Sequence, residues 1–450
     1  MSAESTALFT DHYEFTMLAA ALADGSAERR CTFEVFGRRL PNGRRFGVAA
    51  GLGRLIPAIR NFRFSAAELD RLAAARVIDE RTAGYLAQYR FTGDISGYTE
   101  GEPYFAYSPI LSVTGSFAEA VVLETLVLSV LNHDCAIAAA AARMVVAAGG
   151  RPIIEMGSRR THEQAAVACA RAAYLDGFAA TSNLAAGACY GIPTTGTAAH
   201  AFTLLHDSEA AAFAAQVDSL GTDTTLLVDT YDISRGIETA IEVAGPQLGA
   251  IRIDSGDLAV MAHQSRAQLD RLGAVRIDSG DLGVLARQAR DQLDALGAKE
   301  TKIVLSGDLD EYAIAALAAA PVDSYGAGTA VVVGSGAPTA GLVYKLVEVD
   351  GRPVTKRSEH KASAGGAKLG YRRHRASGTA TEELVVQQRA GFEPESRDRL
   401  LSVPVLRQGE QVTHPTLADS REHHRAAMTA LPWEALKLSA GDPGLPVTLG

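Results

Sequence analysis

Between about residue 150 and residue 330, short apolar runs alternate with alanine-rich amphipathic segments. The runs are rich in Val, Ile and Thr, and each one ends in polar residues. Buried strands of a parallel sheet have this composition, and the segments between them have helical periodicity, so the pattern predicts a series of βα units. The predicted strands are residues 152–157, 178–183, 192–197, 225–230, 250–254, 274–278, 302–307 and 324–328.

The polar residues of this region follow the apolar runs directly. They occur in the sequences GSRR, TSN, GTAAH, DTYD, DSGD, SGDLDE and GAGT. In a closed βα barrel these positions share the face on which the βα loops assemble an active site. A doubly wound open sheet would also place its ligand at the carboxyl ends of the strands, so the pattern favours the barrel and leaves the open sheet as an alternative.

The two ends of the chain have a different pattern. Period-two runs such as CTFEVF and the charged loop RRLPNGRRF predict an α+β domain at residues 1–116, and the barrel is then expected at residues 117–340. The sequence YKLVEVDGRPVTKR predicts a hairpin with an Asp-Gly turn, and we expect residues 341–450 to pack on the N-terminal domain. The expected fold class is α/β, an irregular βα barrel with an N-terminal α+β domain to which the C-terminal segment returns.

Composition and charge narrow the class of protein. The 450 residues are 47% hydrophobic and carry a formal net charge of -9 without acidic or basic blocks, which is typical of a globular enzyme and gives no indication of nucleic acid or a membrane as a partner. The N-terminus lacks the pattern of a secretory signal, so we expect a cytoplasmic protein. The apolar stretch 117–150 is interrupted by charged residues, which favours buried helices over a membrane span.

The four cysteines add one more exclusion. Cys31, Cys135, Cys169 and Cys189 have no CxxC spacing, which argues against a zinc site or a disulfide framework. We expect all four to be thiols in the core.

A unit of 24 residues is repeated in tandem. Residues 252–275 and 276–299 are identical at 17 of 24 positions, including both copies of RIDSGDL and most of the helical sequence after each. An added strand would shift every later loop of a closed barrel by one position, so we expect only one copy to hold the functional strand. The second copy has the better apolar stripe, which favours Arg276, Asp278 and Asp281 over the equivalent residues of the first copy.

Each basic or aromatic candidate also has an ordinary structural interpretation. The adjacent Arg159 and Arg160 could bind a carboxylate or a phosphate, or they could be solvated surface charges. His200, flanked by apolar residues, could be a hydrogen-bonded structural histidine. Tyr13, taken alone, could be a core aromatic residue.

The acidic and glycine-rich candidates have two interpretations as well. Asp229 with Asp232, the DSGD sequence, and Asp308 with Asp310 could hold Mg²⁺ and ribose hydroxyls, or they could cap helices. The glycines of YGAGT and of GSG at 334–336 could form a loop whose backbone N–H groups face a phosphate, or they could form ordinary turns.

Taken together and in order, the motifs resemble a known family. TDHYEFTM, FEVFGRRLP, EMGSRRTHE, TSN, GTAAH, VDTYD, RIDSGDL, SGDLDE and YGAGT are similar to the corresponding motifs of nicotinate phosphoribosyltransferases. The similarity continues into VYKLVEVDGRPVTKRS, so it covers most of the chain. The resemblance implies an α/β barrel with an N-terminal domain, assembled as a homodimer with shared active sites at the subunit interface.

The resemblance also implies a reaction in NAD salvage. Nicotinate attacks C1 of the ribose of phosphoribosyl pyrophosphate, pyrophosphate leaves, and nicotinate mononucleotide forms, with coupled ATP hydrolysis and Mg²⁺. Such a transition state is cationic at C1 and anionic at the leaving group, so carboxylates, Mg²⁺ and arginines stabilise it. The alternatives are a nicotinamide or quinolinate phosphoribosyltransferase, and a metabolite-binding homologue disabled by the duplication.

Roles for single residues follow from the same resemblance. His200 is the phosphate-accepting histidine, Asp229 and Asp278 (or Asp254) are catalytic, and Asp278, Asp281 and Asp308 are candidate Mg²⁺ ligands. Ser182 stands where nicotinamide-using relatives have an aspartate that would repel the nicotinate carboxylate. The implied substrate-binding residues are Asp11 and Tyr13 of the neighbouring subunit, with Tyr13 stacking on the pyridine ring, and Met156, Arg159, Arg160, Ser182, Asn183, Thr225, Arg276 (or Arg252), Gly307, Asp308, Gly326, Gly328 and Thr329.

Overall fold

The structure is a computed structural model that describes residues 5–254, 282–356 and 364–450. It divides into two compact units, of which unit 1 is Met1–Ala139 with Ala337–Gly450 and unit 2 is Ala140–Gly336. The boundary predicted at residue 117 is therefore displaced by 23 residues. The reason is hydrophobic packing, because Val121, Leu126 and Leu131 belong to the core of unit 1.

The helices and strands follow one another along the chain as three groups. The first group is α1 His12–Asp24, β1 Arg30–Gly37, β2 Gly47–Val48, α2 Leu52–Arg60, α3 Ala66–Ala74, α4 Glu80–Ala87, β3 Asp94–Tyr98, β4 Pro103–Tyr104, β5 Leu111–Ser116, α5 Phe117–Val121 and α6 Glu124–Ala148. The second group is β6 Ile153–Glu155, α7 Glu163–Leu175, β7 Ala180–Thr181, α8 Leu184–Tyr190, α9 His200–Leu205, α10 Glu209–Leu220, β8 Thr225–Leu227, α11 Ile233–Ala244, β9 Ala250–Ile253, α12 Leu282–Ala295, β10 Lys302–Gly307, α13 Glu311–Ala316, β11 Ser324–Ala327 and α14 Thr329–Val332. The third group is β12 Leu342–Val349, β13 Arg352–Pro353, β14 Lys368–His374, β15 Ala380–Gln387, β16 Asp398–Leu400, β17 Ser402–Arg407, β18 Glu410–Gln411, α15 Leu417–Thr429 and β19 Val447–Leu449.

Unit 1 is built on a seven-stranded antiparallel sheet in the order β13-β12-β1-β5-β3-β17-β18. Strands from the C-terminal segment pair with the N-terminal ones, β12 with β1 and β17 with β3. On the core face, the ring of Phe33 stacks on that of Tyr344 with centroids 4.8 Å apart. The β12–β13 hairpin forms as predicted, with Asp350 and Gly351 at φ 47° and 75°, as its two-residue turn requires.

A second sheet in unit 1 has the order β16-β14-β15-β19. Its strands are antiparallel except that β15 and β19 run parallel. Strand β14 carries Arg372, which is 1% exposed and therefore needs buried acidic partners.

Unit 2 contains a six-stranded parallel sheet in the order β7-β6-β11-β10-β9-β8. From β11 to β8 the neighbouring strands follow the chain order in reverse, and β6 and β7 continue that order beyond β11. Strands follow the chain order in this way in a βα barrel. The segment predicted as a strand at 192–197 contributes an isolated bridge, Thr181 with Thr194, beside β7. The α/β fold class is confirmed, and each described strand buries branched or aromatic residues such as Ile251, Ile303 and Tyr325.

The two copies of the duplicated sequence have different positions. Strand β9, between β8 and β10, is Ala250–Ile253 and includes Arg252 of the first copy. The helix that precedes β10, α12, comes from the second copy and buries Leu285, Ala289 and Leu293. In this sheet Ile251 and Ile253 are fully buried, so β9 takes its arginine from the first copy, whereas Arg276, Asp278 and Asp281 of the second copy lie outside the described residues.

The apolar stretch after residue 117 forms α5 and the 25-residue helix α6. Among the described residues, α6 is the one helix long and apolar enough to cross a membrane by length and composition, yet 72% of its most apolar window is buried, which is typical of a core helix. Three cysteines are buried as predicted, but Cys189 is exposed near the end of α8, so its expected core position is wrong.

Candidate active site

A cavity of about 290 Å³ lies at the carboxyl ends of four neighbouring strands of unit 2, β6, β11, β10 and β9. Polar side chains at this edge converge because parallel strands end at one side of the sheet. The lining residues are Met156, Arg159, Arg160, Arg252, Asp254, Ser306, Gly307, Asp308, Gly326, Gly328 and Thr329. All except Ser306 are residues that the sequence singled out, with Arg252 and Asp254 as the first-copy alternatives.

Arg252 organises one wall of the cavity. Its Nε donates to the Ser306 hydroxyl (2.9 Å), its Nη1 donates to the Thr197 hydroxyl (2.6 Å), and its Nη2 donates to Asp254 Oδ1 (2.7 Å). Ser306 in turn donates to the same Asp254 oxygen at 2.7 Å. Burial raises the pKa of Asp254, but the hydrogen bond from Ser306 and the charge of Arg252 outweigh it and lower the pKa below the ordinary value. The wall thus presents a carboxylate that is ionised and fixed in place.

Glycines allow the strands to approach one another at this edge. A Cβ atom on Gly326 would lie 2.8 Å from the Met156 sulfur and 2.9 Å from Ser306 Cβ, and one on Gly157 would lie 2.2 Å from a Val332 methyl group. Gly307 has φ +132°, a conformation that residues with side chains rarely adopt. The cavity therefore depends on glycine at the ends of β6, β10 and β11.

Glu155, buried at the end of β6, fixes the neighbouring loops. It accepts hydrogen bonds from the Gly157 N–H and from the Thr181 hydroxyl, and burial raises its pKa. The Ser182 N–H donates to the Glu155 carbonyl at 2.8 Å. Asn183 caps α8 through the Ala186 N–H and donates from Nδ2 to the Ser158 hydroxyl at 3.0 Å, which ties TSN to the GSRR loop.

His200 is the first residue of α9, and its ring is held by the residues after β8. Nδ1 lies 3.2 Å from the Thr230 hydroxyl, and Nε2 lies 3.9 Å from Asp229 Oδ1. The Asp254 N–H donates to the other Asp229 oxygen at 2.9 Å, so Asp229 connects the histidine to the Arg252 wall. Burial, followed by repulsion from Asp229 and Asp232, raises the pKa of nearby Glu209 to about 7.

Four further candidates do not line the cavity. Asp232 and Asp310 cap α11 and α13 through backbone N–H groups. Thr225 begins β8, at the end of the strand opposite to Asp229, about 13 Å away along an extended chain, so its assignment to the substrate site is not supported. Ser335, in the GSG sequence, donates to Glu311 rather than lining the cavity.

Some residues assigned to the site by the resemblance lie outside unit 2 or outside the described residues. Asp11 and Tyr13 are in unit 1, at the N-terminus of α1, where burial and the charge of Glu124 raise the pKa of Tyr13 to about 12. Arg276, Asp278 and Asp281 lie outside the described residues.

The sequence missed the residues that hold the others in place. Ser306 and Thr197 both bond to Arg252, and both stand inside motifs that had been recognised, SGDLDE and GTAAH. Glu155 precedes the GSRR loop directly. A polar residue buried in an otherwise apolar strand end was the available signal for Glu155 and Ser306.

The described residues include no group of three or more His, Cys, Asp or Glu side chains arranged for a metal ion. Asp308 is an exposed carboxylate on the cavity, and Asp254 is a second, half-buried one. Mg²⁺ is commonly held by one or two carboxylates together with substrate phosphates and water. The two carboxylates therefore fit an ion that enters with a phosphorylated substrate.

Comparisons with known proteins identify the family of the chain. A family model described as the nicotinate phosphoribosyltransferase (NAPRTase) N-terminal domain matches residues 8–132. The chain is 58% identical over 449 residues to nicotinate phosphoribosyltransferase pncB1 of Mycobacterium tuberculosis H37Rv, with 98% of this chain and 94% of the relative covered. It is 37% identical to the Bacillus subtilis nicotinate phosphoribosyltransferase, with 82% and 73% covered. The crystal structure of human nicotinic acid phosphoribosyltransferase matches with a TM-score of 0.80 at 25% identity, covering 98% and 97%. The chain therefore belongs to the nicotinate phosphoribosyltransferase family.

Proposed function

We propose that the protein transfers the phosphoribosyl group of phosphoribosyl pyrophosphate to nicotinate, in NAD salvage. The observation that carries the proposal is the single cavity on which Arg159, Arg160, Arg252, Asp254 and Asp308 converge. Anionic substrates need arginines, and the cationic ribose of the transition state needs carboxylates. Both are present within one strand-end site of a chain from this family.

Arg159 and Arg160 bind the anionic groups of the substrates. Both side chains are exposed on the cavity, and neither forms an ion pair within the described part of the chain. Their guanidinium groups can therefore bind the nicotinate carboxylate or the phosphates in the bidentate manner that arginine favours. The backbone N–H groups near Gly326, Gly328 and Thr329 face the 5′-phosphate.

Asp229 and Asp254 stabilise the positive charge that develops at C1 of the ribose. Their carboxylates are fixed before substrate binds, Asp254 by Arg252 and Ser306 and Asp229 by the Asp254 N–H. Fixed charges of this kind need no reorganisation as the transition state forms. Asp308 is free to bind ribose hydroxyls or an ion.

Mg²⁺, when bound, neutralises the pyrophosphate leaving group. Asp254 and Asp308 would hold it, and the second-copy residues Asp278 and Asp281 remain further candidates. The arginines orient the same phosphates from the other side of the cavity.

ATP hydrolysis is coupled to the transfer through phosphorylation of His200. The γ-phosphate moves from ATP to a ring nitrogen, and water later releases it as inorganic phosphate. Thr230 and Asp229 orient the ring, since their oxygens lie 3.2 Å from Nδ1 and 3.9 Å from Nε2. Asp229 lies beside His200 and also accepts a hydrogen bond from the Asp254 N–H. Phosphorylation of His200 therefore acts on the substrate site through Asp229.

The active unit is a cytoplasmic homodimer in which Asp11 and Tyr13 of one subunit complete the site of the other. Tyr13 is 46% exposed on unit 1, so its ring is available to stack on a pyridine. Ser182 is half-buried beside the Glu155 loop and adds no negative charge there, which favours an acid over an amide as substrate.

The test is product formation from nicotinate, phosphoribosyl pyrophosphate, Mg²⁺ and ATP, with nicotinamide and quinolinate in parallel. We expect nicotinate mononucleotide from nicotinate and about 10- to 100-fold lower kcat/KM with nicotinamide, since a lost charged contact changes binding by about 1.5–3 kcal/mol. No product from nicotinate would contradict the proposal, and preference for another pyridine would reassign the substrate.

The ATP coupling has its own test. We expect His200→Ala to abolish ATP hydrolysis coupled to product formation, while His206→Ala, at the opposite end of the same helix, leaves the ratio of ATP hydrolysed to product unchanged. An unchanged ratio in His200→Ala would remove the phosphorylation role.

A further inference from the structure

A second cavity, of about 260 Å³, lies wholly within unit 1. Its walls are the loop after α2, the segment before β3 and the turn between β17 and β18. The floor is apolar, because Phe62, Phe91 and Leu406 line it and each is less than a tenth exposed. The cavity therefore offers an apolar base to a ligand from solvent.

Three arginines surround this floor, namely Arg60, Arg63 and Arg90. All three are exposed, and none of them forms an ion pair with any described residue. The one acidic residue in the lining is Glu410. In a chain with a formal net charge of -9, three arginines against one carboxylate form a local excess of positive charge that favours an anion.

Another cavity in the same unit is also lined by arginines, and there each arginine forms an ion pair with a carboxylate of the protein. There Arg30 and Arg407 both lie 3.7 Å from Asp94, and Arg389 lies 3.3 Å from Glu348. Those arginines have carboxylates of the protein as partners. The set at Arg60, Arg63 and Arg90 has no such partner among the residues that the structure describes, so its charge is available to a ligand.

The cavity is also held in shape before any ligand binds. Arg63 Nε donates to the Arg60 carbonyl at 3.0 Å, and Arg90 Nη1 donates to the Tyr89 carbonyl at 2.9 Å, which restricts two of the guanidinium groups. The ring of Phe62 packs edge-on against that of Tyr89 with centroids 5.4 Å apart.

The β17–β18 turn closes the third side. Gln408 and Gly409 have φ 50° and 77°, and the Gly409 N–H donates to the Gly93 carbonyl at 2.8 Å. A Cβ on Gly409 would lie 2.5 Å from the Phe91 carbonyl oxygen, so this close approach requires glycine. A preformed wall lowers the entropy lost on binding.

We propose that this cavity binds a small amphipathic anion, a carboxylate or phosphate monoester attached to a short apolar body. The arginines would bind the anionic head and the apolar floor would bury the body. The volume is below the range of about 300–1,000 Å³ typical of sites for drug-sized ligands, which favours a small molecule. Binding here is separate from the proposed transfer reaction, since it uses none of the residues assigned to that reaction.

The test is binding of hexanoate and of hexyl phosphate to the full chain, measured by calorimetry and ligand-observed NMR, with hexanol and inorganic phosphate as partial probes. The triple variant Arg60→Ala, Arg63→Ala, Arg90→Ala removes the anion contacts. The matched control, Arg81→Ala, Arg397→Ala, Arg425→Ala, removes the same charge from exposed positions of unit 1 outside the cavity.

We expect the parent and the control to bind one or both amphipathic anions more tightly than hexanol or inorganic phosphate. The cavity variant should bind at least about tenfold more weakly, the sum of three exposed charge contacts. If the triple variant unfolds, Arg63→Gln and Arg90→Gln are measured singly, each with an expected loss of about threefold. Equal affinity in cavity and control variants, or no binding by the parent, would overturn the proposal.

Discussion

Charged residues are used in opposite ways in the two units. In unit 1, Arg372 is 1% exposed and donates to the Glu383 carboxylate at 2.7 Å and to the Pro103 carbonyl at 2.8 Å. Glu102, also 1% exposed, accepts hydrogen bonds from Nη1 and Nη2 of Arg399 and lies 2.8 Å from His423 Nε2. These charges are partnered within the protein.

The strand-end cavity of unit 2 has the same residue types in a different state. Arg159, Arg160 and Asp308 are exposed there and form no ion pairs with other described residues. Arg252 and Asp254, which line the same cavity, are instead fixed by a hydrogen bond to each other. The comparison teaches that partners and burial, rather than residue type, separate charges that maintain the fold from charges that await a ligand.

Removal of the buried cation should have the largest effect. Arg372→Ala leaves Glu383 buried without its cation, so we expect the free energy of unfolding to fall by about 3–5 kcal/mol in denaturant titrations. Arg425→Ala is the matched control, because its pair with Glu422 is exposed, and it should change stability by less than about 0.5 kcal/mol. Similar losses in both variants would show that the buried ion pair contributes no more to the free energy of unfolding than an exposed one.

Acid should weaken unit 1 through His424, which is buried and donates from Nδ1 to the Gly101 carbonyl. Burial lowers its pKa from 6.5 to about 4. The unfolded chain therefore takes up the proton first, and stability that is fully present above pH 6.5 is lost as the pH falls towards 4. We expect a loss of about 3 kcal/mol over this range, which His424→Gln should not show.

His414 is exposed, so His414→Gln should show the same dependence of the unfolding free energy on pH as the parent protein. A parent stability that does not change between pH 6.5 and 4 would contradict the assignment to His424. At lower pH, Glu102 acts in the same direction. Burial raises its pKa, but the bonds from His423 and Arg399 and the charge of Arg372 hold it at about 2, so its contribution is present above pH 4.5 and is lost towards pH 2.

Removal of the exposed arginines of the cavity should lower catalytic activity and leave stability unchanged, whereas removal of Arg372 should lower stability. Arg159→Ala and Arg160→Ala, made separately, should each lower kcat/KM for nicotinate by about 10- to 100-fold, because each removes about 1.5–3 kcal/mol of charged contact. The free energy of unfolding should stay within about 0.5 kcal/mol of the parent. Lost stability with normal turnover would place these residues with the fold-maintaining charges.

Deletion of residues 252–275 should have the smallest effect. It joins Ile251 to Arg276 and regenerates the sequence AIRIDSGDL ahead of α12, so both the strand and the helix keep their residues. We expect turnover within about twofold of the parent and equal or higher stability, since the connection becomes shorter. Loss of folding would mean that the surplus unit is built into the structure.

The sequence predicted the six described strands of the unit 2 sheet and the polar positions after them, because both follow from local patterns. Strand β10 coincides with the predicted 302–307, and Gly326 and Gly328 follow the same rule at β11. Local patterns could not decide between a ligand site and a cap, and Asp232 and Asp310 proved to be caps.

Contacts between distant residues were beyond the same reasoning. Arg252 bonds to Thr197 and Ser306, which are 55 and 54 residues away in the chain, and only the sheet order brings them together. The position of the first copy in β9 also depended on packing across the sheet, where Ile251 and Ile253 are fully buried. The apolar stripes of the two helical segments carry no information about these contacts within the sheet.

The central claim is that the cavity beside β9 is the site of transfer and that the first copy of the repeat supplies its arginine. The most direct measurement is kcat/KM for nicotinate in Arg252→Ala and in Arg276→Ala, two variants with the same change in equivalent sequence. We predict a loss of about a hundredfold or more in Arg252→Ala, which breaks the bonds to Asp254, Ser306 and Thr197, and parental turnover in Arg276→Ala. Loss of turnover in Arg276→Ala with normal turnover in Arg252→Ala would contradict the claim.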